Sequence, residues 1–225
     1  MWGANNAGDN GAASATTQTV CGTGATSWNV TADMQPAAYT SVQTYPCVQQ
    51  LTSGWTGSGW SGAAAYVNNA TPVDSLASLA GSWSTVEPPS TDGDWELAYD
   101  IWTSAGKELM VWVDTSAERE NSGANVVDVN GVAQDNVQIG GQSYTYENYG
   151  GTPTDPTTGL PLLILNTNEA SGSVNLLAAF DYWESIGVIP KGETLTEINF
   201  GWEICNTGGG TENFSLTGYT LTATP

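Results

Sequence analysis

The chain has no histidine, and Lys and Arg together number only 3 in 225 residues. Without histidine there is no Ser-His-Asp triad, no Cys-His pair and no His-held zinc or haem. Against 23 Asp and Glu, the formal net charge is −20. So few cations displace almost no counterions from a phosphate backbone, which excludes nucleic acid as a partner. An anionic membrane surface is disfavoured for the same reason, and no run of about 18 apolar residues exists to span a bilayer. Cysteine is scarce: Cys21, Cys47 and Cys205 show no metal spacing and allow at most one internal disulfide. Cys21 with Cys47 is the expected pair, because both lie in the loop-rich N-terminal third. Chemistry at neutral pH or below therefore falls to carboxylates, hydroxyls, amides and three thiols, with no metal or cofactor expected.

The charge has an unusual origin. Acidic residues make up about 10% of the chain, which is ordinary; the basic residues have vanished. The polar surface is left to Ser, Thr, Asn and Gly. That suits a secreted protein working at low pH, where protonation relieves self-repulsion. Drift in a secreted polar protein accounts for it equally well. No signal peptide is visible, so secretion would place the start after a removed one.

What is present points to strands and turns: 27 glycines, 10 prolines, and abundant Thr, Val, Trp and Tyr. Three stretches alternate cleanly. Trp95–Trp102 puts Glu96, Ala98, Asp100 and Trp102 on one face and Trp95, Leu97, Tyr99 and Ile101 on the other. Glu108–Asp114 puts Glu108, Met110, Trp112 and Asp114 opposite Leu109, Val111 and Val113. Glu197–Ile204 puts Asn199, Gly201 and Glu203 opposite Ile198, Phe200, Trp202 and Ile204. Further strands are expected at Gly62–Val67, Trp83–Val86, Val126–Val129, Val137–Ile139, Gln142–Glu147, Leu160–Asn166 and Phe214–Thr222. Leu176, Leu177, Phe180 and Trp183 have helical spacing, so one short helix is expected over Ser173–Ile186, stopped by Pro190. Gly8–Gly24 reads as a loop. No repeat or interdomain linker appears. The expected architecture is all-β: one domain over residues 1–225, a jelly-roll β-sandwich of two antiparallel sheets with a concave cleft and one short helix.

Two strands carry glutamates on faces otherwise furnished with aromatic, Met or small residues: Glu108 with Met110 and Trp112, and Glu203 with Gly201 and Asn199. Asp100 lies on the Trp102 face. If these faces line one sheet, the result is a groove with paired carboxyls and stacking aromatics. Acetal cleavage needs one carboxylic acid and one carboxylate, and sugar rings stack on aromatic faces. Polysaccharide is the expected ligand class. Solvated acids on an outer sheet face are the plain alternative.

The residues also carry a resemblance. Glu108-Leu-Met-Val-Trp112 resembles the E-[IL]-M-[IV]-W strand of glycoside hydrolase family 12, the small endoglucanases and xyloglucanases. Tyr99-Asp-Ile-Trp102 resembles that family's Y-D-[IL]-[WF] strand, and Phe200-Gly-Trp-Glu203 its G-[FYW]-E strand. Trp2-Gly3 is similar to the end of its N-N-x-W-G motif, Tyr45-Pro46 to its Y-P loop, and Pro72 to Trp83 to the strand pair before Y-D. The resemblance implies a secreted, monomeric endo-β-1,4-glucanase acting with retention on β-glucan. Xyloglucan-specific and mixed-linkage glucanases share the scaffold, and a non-catalytic carbohydrate-binding sandwich is the reading from another class. It implies Glu108 as nucleophile, Glu203 as general acid/base, and Asp100 as the acid that hydrogen-bonds the nucleophile. Trp2, Tyr45 and Trp112 would contact the sugar, with Met110 packed beside the nucleophile.

The chain departs from the pattern in three places. Only five residues separate Trp102 from Glu108, a shorter hairpin than the family's. The sequence starts at Met1-Trp2, where the family usually has one or two earlier strands; either the given sequence begins after them or the first strand is absent, which would leave an edge open. Ile204-Cys205 stands where the family often has Pro-Trp, and Cys205 is expected on the face of Glu203. Lesser signals are Asp92-Gly-Asp-Trp-Glu96, which reads as a turn before a strand in preference to oxygen ligands for calcium, sequons at Asn29, Asn69 and Asn213, and Lys107, which should point away from Glu108.

Overall fold

The structure is a computed structural model that describes residues 2–5, 17–24, 26–34, 42–51, 71–117, 134–152 and 155–225. In chain order the strands are β1 (Trp2–Asn5), β2 (Thr17–Gly24), β3 (Ser27–Asp33), β4 (Tyr45–Leu51), β5 (Thr71–Pro72), β6 (Ser78–Val86), β7 (Asp94–Thr103) and β8 (Glu108–Thr115). They continue with β9 (Gln134–Ile139), β10 (Gln142–Tyr149), β11 (Leu160–Leu165), β12 (Ser171–Asn175), β13 (Thr194–Asn206) and β14 (Glu212–Thr224). Helix α1 (Leu176–Ser185) lies between β12 and β13. Among the described residues no helix is long and apolar enough to cross a membrane.

The larger sheet runs β1-β4-β13-β7-β8-β11-β10-β9, with β5 also on β13; the smaller runs β12-β6-β14-β3-β2. This is the expected sandwich, with one difference: β11 pairs with β8 in parallel, Leu163 opposite Val111. After β8 the next strand is β9 at the far edge, and the antiparallel steps β9 to β10 to β11 bring the chain back beside β8 running in the same direction.

The period of two supplies the core. Trp95, Leu97, Tyr99 and Ile101 of β7 are buried with Leu109, Val111 and Val113 of β8 and Ile198, Phe200, Trp202 and Ile204 of β13. They meet Trp28, Leu79, Trp83, Phe214 and Leu216 of the smaller sheet. Aromatic rings tie the layers together, Phe200 stacked on Tyr219 at 5.2 Å and Trp28 edge-on to Trp202 at 5.3 Å, while Tyr99 meets Phe200 within the larger sheet at 4.4 Å. Such pairs are each worth about 0.5–1.5 kcal/mol beyond the area they bury.

The helix is shorter than the periodicity predicts. Ser171–Asn175 pairs with β6 instead, and the Asn175 side chain accepts from the Ala178 N–H, capping the first turn. Leu176, Ala179, Phe180 and Trp183 are its buried face. The expected loop over Gly8–Gly24 is corrected in its second half. Thr17–Gly24 is an edge strand on β3; its Thr and Gly content hides a partner that only the fold supplies. Residues 8–16, and the strands expected at 62–67 and 126–129, lie outside the described residues. The turn at Asp92 forms, with its N–H donating to the Pro89 carbonyl at 2.8 Å.

The expected Cys21–Cys47 disulfide is also corrected. None of the three cysteines forms a disulfide, Cys21 being exposed and Cys47 and Cys205 buried. Cys21 belongs to the smaller sheet and Cys47 to the larger, so proximity in sequence did not mean proximity in space.

Candidate active site

With the odd positions of β7 committed to the core, its even positions face away from the second sheet. Register decides what joins them. Across β7 and β8, Trp102 stands opposite Glu108, Asp100 opposite Met110, and Ala98 opposite Trp112. Across β7 and β13, Trp102 stands opposite Glu197, Asp100 opposite Asn199, Ala98 opposite Gly201, and Glu96 opposite Glu203. Glu108 and Glu203 therefore sit on a diagonal across β7, with Asp100 between them on the same face. Gly201 lets β4 close in: a side chain there would run into the Pro46 carbonyl and the Cys47 backbone.

The hairpin that presents Glu108 is as short as the sequence predicts. Thr103 N–H donates to the Lys107 carbonyl at 3.0 Å, and Gly106 takes φ +76° to close the turn. Lys107 turns away, as expected: its Nζ donates to the carbonyls of Thr157 (2.9 Å) and Gly159 (2.7 Å).

The electrostatics show the three carboxyls to be mutual neighbours. Asp100 is 7% exposed. Burial pushes its carboxyl well above the usual range, helped by the charges of Glu108 and then Glu203 and opposed by hydrogen bonds from Trp102 and Asn199. Burial and then the charge of Glu203 push Glu108 up to about 7, with Lys107 pulling weakly the other way. A carboxyl that keeps its proton beside one that ionises is the arrangement acid-base chemistry on an acetal requires.

Around the acids the face is more closed than a row of stacking platforms. Ala98, Met110, Trp112 and Leu162 form a small apolar cluster with Leu160 and Ile164 packed on it. Met110 is 1% exposed and Trp112 8%, so Met110 packs as expected while the Trp112 ring is largely covered by β11. Tyr45 is buried and donates from its hydroxyl to the Ala98 carbonyl at 3.2 Å, while burial, then Cys47 and then Asp100, push its own ionisation up. It is a wall beneath the acids rather than an open ring. The backbone of Trp2 pairs opposite Val48; its side chain lies outside the described residues.

Two placements differ from the alternation. Asp114 was expected beside Trp112, but the register slips between Leu97 and Ala98, so that Leu97 faces Asp114. This bulge turns Asp114 to the opposite side of the sheet. There it hydrogen-bonds the Glu87 carboxyl, which accepts from Trp202 Nε1 at 3.0 Å. Cys205 sits at a second slip, between Ile204 and Asn206, and is fully buried. Sequence reasoning placed Asn199 on this face without a task. The structure shows Asn199 Nδ2 donating to Glu197 Oε1 at 2.7 Å and to Asp100 Oδ2 at 3.3 Å. The signal was available, since Glu197, Asn199 and Glu203 alternate along one strand.

No family model and no curated protein matches the sequence. Solved structures do match in shape. The xyloglucanase domain of NopAA, a type three effector from Sinorhizobium fredii in complex with cellobiose, is 22% identical with a TM-score of 0.66, covering 92% of this chain and 87% of that one. Trichoderma harzianum endoglucanase 3, from family 12, is 18% identical with a TM-score of 0.67, over 94% and 87%. The catalytic domain of Humicola grisea Cel12A, soaked with a thio cellotetraose, is 15% identical with a TM-score of 0.71, over 97% and 90%. The fold of this chain is the jelly-roll sandwich of the family 12 glycoside hydrolases.

Proposed function

We propose that the chain is a secreted endo-β-1,4-glucanase that hydrolyses internal bonds of a β-glucan with retention, and that it acts as a monomer. The observation that carries this reading is the convergence of Asp100, Glu108 and Glu203 on one face, Asp100 feeling both glutamates and Glu108 feeling Glu203. The glucan ligands bound by two of the structural neighbours, cellobiose and a thio cellotetraose, agree with it. The scarcity of Lys and Arg supports secretion into an acidic medium, where net charge falls as carboxylates protonate.

In this reading Glu108 attacks the anomeric carbon as Glu203 passes its proton to the departing glycosidic oxygen. Water then attacks the glycosyl-enzyme; Glu203 takes its proton, and Glu108 leaves as carboxylate. The pair must carry one proton in total. Since Glu108 beside a charged Glu203 holds a proton up to about 7, the last proton leaves the pair near that pH, and activity falls as pH rises through it.

Reducing-end release from carboxymethylcellulose, mixed-linkage glucan and xyloglucan tests the activity and chooses among the glucans. Glu108→Gln and Glu203→Gln should each cost about a hundredfold or more in turnover, the scale of general acid/base catalysis, while glucan binding persists. A Glu203→Gln variant near wild-type rate on polymer rejects the assignment. Proton NMR of the first product should show the β-anomer; the α-anomer would mean inversion. Glucan binding by a wild type that releases no reducing ends would make the chain a binding module.

A further inference from the structure

We propose that Asn199, oriented by Glu197, is a positioning residue that holds the proton of Asp100 on Oδ1, the oxygen left to serve Glu108. The proposal rests on reading Glu108 as the nucleophile and adds how its neighbour is kept in working order.

The two oxygens of Asp100 are not equivalent. Oδ2 accepts two N–H bonds, from Trp102 Nε1 at 3.2 Å and from Asn199 Nδ2 at 3.3 Å. Oδ1 is buried and has no hydrogen-bond partner among the described residues. In a neutral carboxylic acid, the oxygen that accepts from two N–H groups acts as the carbonyl, so the proton belongs on the other. Burial raises the Asp100 carboxyl well above the usual range, so it keeps its proton where an ordinary carboxyl ionises. Its O–H is then on Oδ1, the one oxygen still free to donate.

The sense of the Asn199 amide is itself determined. Asn199 is 2% exposed, and its Nδ2 faces carboxyl oxygens on both sides, Glu197 Oε1 at 2.7 Å and Asp100 Oδ2 at 3.3 Å. A flipped amide would turn its carbonyl oxygen onto both acids. Glu197 thus anchors one N–H, which aims the other at Asp100. A short bond to a carboxylate is the stronger of the two, so Glu197 is the fixed point and Asp100 the group being set.

The titratable groups that face Asp100 are Glu108 on β8, Glu203 and Glu197 on β13, and Tyr45 and Cys47 on β4. None of these is a cation. Lys107, beside Glu108, is engaged with the carbonyls of Thr157 and Gly159. Donors on Oδ2 are therefore the means by which this acid is tuned. Without Asn199, Asp100 holds its proton to higher pH, and the proton spends time on Oδ2. Oδ1 then no longer carries the O–H available to an ionised Glu108, whose charge Asp100 feels, and Glu108 accepts a proton more readily.

The test uses the full chain with Asn199→Ala and Trp102→Phe, each removing one donor. For Asn199→Ala, kcat should fall about tenfold, the worth of roughly one hydrogen bond, with KM within about twofold. The acid limb of the pH profile should move up. Independently of turnover, the carboxyl carbon signal of Asp100, assigned by its loss in Asp100→Asn, should titrate at higher pH in Asn199→Ala than in wild type. Trp102→Phe should shift both readouts in the same direction; if Asn199→Ala does not fold, this variant alone decides. Unmoved acid limbs, or an Asp100 signal that titrates as in wild type, overturn the proposal. A wild type that cleaves no β-glucan while the Asp100 titration still moves would sink the enzyme reading and leave the proton placement standing.

Discussion

Glu87→Gln should flatten the pH dependence of stability. Glu87 follows β6 in the smaller sheet, and its carboxyl hydrogen-bonds that of Asp114 on β8 and accepts from the buried Trp202. Two carboxyls can share a hydrogen bond only while one keeps a proton. Burial, then the Asp114 charge, raise Glu87 from the ordinary 4.5 to about 8. The folded state therefore binds more protons than the unfolded one between these values. Stability from this group is full below about 4.5, declines as pH rises, and is lost above about 8. At about 1.4 kcal/mol per pH unit the ceiling is about 5 kcal/mol. The residue is partly exposed and the proton is shared with Asp114, so about 2–3 kcal/mol is expected. Glutamine keeps the acceptor for Trp202, adds a donor for Asp114 and does not titrate. Chemical denaturation of both proteins at pH 5, 6.5 and 8.5, on the pH scale set by these ionisations, should show wild type losing that much more than Glu87→Gln. In a chain of this length the difference corresponds to about 5–10 °C in Tm. Parallel stability curves for the two proteins across that range would refute the reasoning.

Trp112→Ala should destabilise the fold by about 3 kcal/mol as well as raise KM, because the ring is 8% exposed and packed with Met110 and Leu162; an unchanged denaturation midpoint would mean the ring is an open platform. A thiol reagent should modify Cys21 at once in the native protein and reach Cys47 and Cys205 only on unfolding, since the first is exposed and the others buried; rapid labelling of more than one thiol contradicts that burial.

Much of the site was legible because strand alternation is local. The even positions of Trp95–Trp102 had to share a face whatever the fold, and Glu108 had to share one with Met110 and Trp112. The tight turn from Thr103 to Lys107 followed from the short spacing, and the outward course of Lys107 from its alternation with Glu108. Alternation fails where a bulge intervenes. Asp114 and Cys205 each stand at a slip in register, and nothing in their own neighbourhoods announces it, because a bulge is a property of two strands.

The sequence by itself determined which side chains alternate, that chemistry would fall to carboxyls, and that Glu108, Asp100 and Glu203 were the acids set among aromatic and small residues. Tertiary structure alone decided that β7 lies between β8 and β13, which makes Asp100 a neighbour to both glutamates and brings Asn199 to its Oδ2. It decided that the Trp112 ring is covered and Tyr45 walled in, that Cys21 and Cys47 lie in separate sheets, and that Thr17–Gly24 is a strand. The physical reason is range. Which face a residue takes depends on its own strand's pleat, but its neighbours across the sheet depend on pairings formed by segments far away in the chain, as Leu216 beside Trp28.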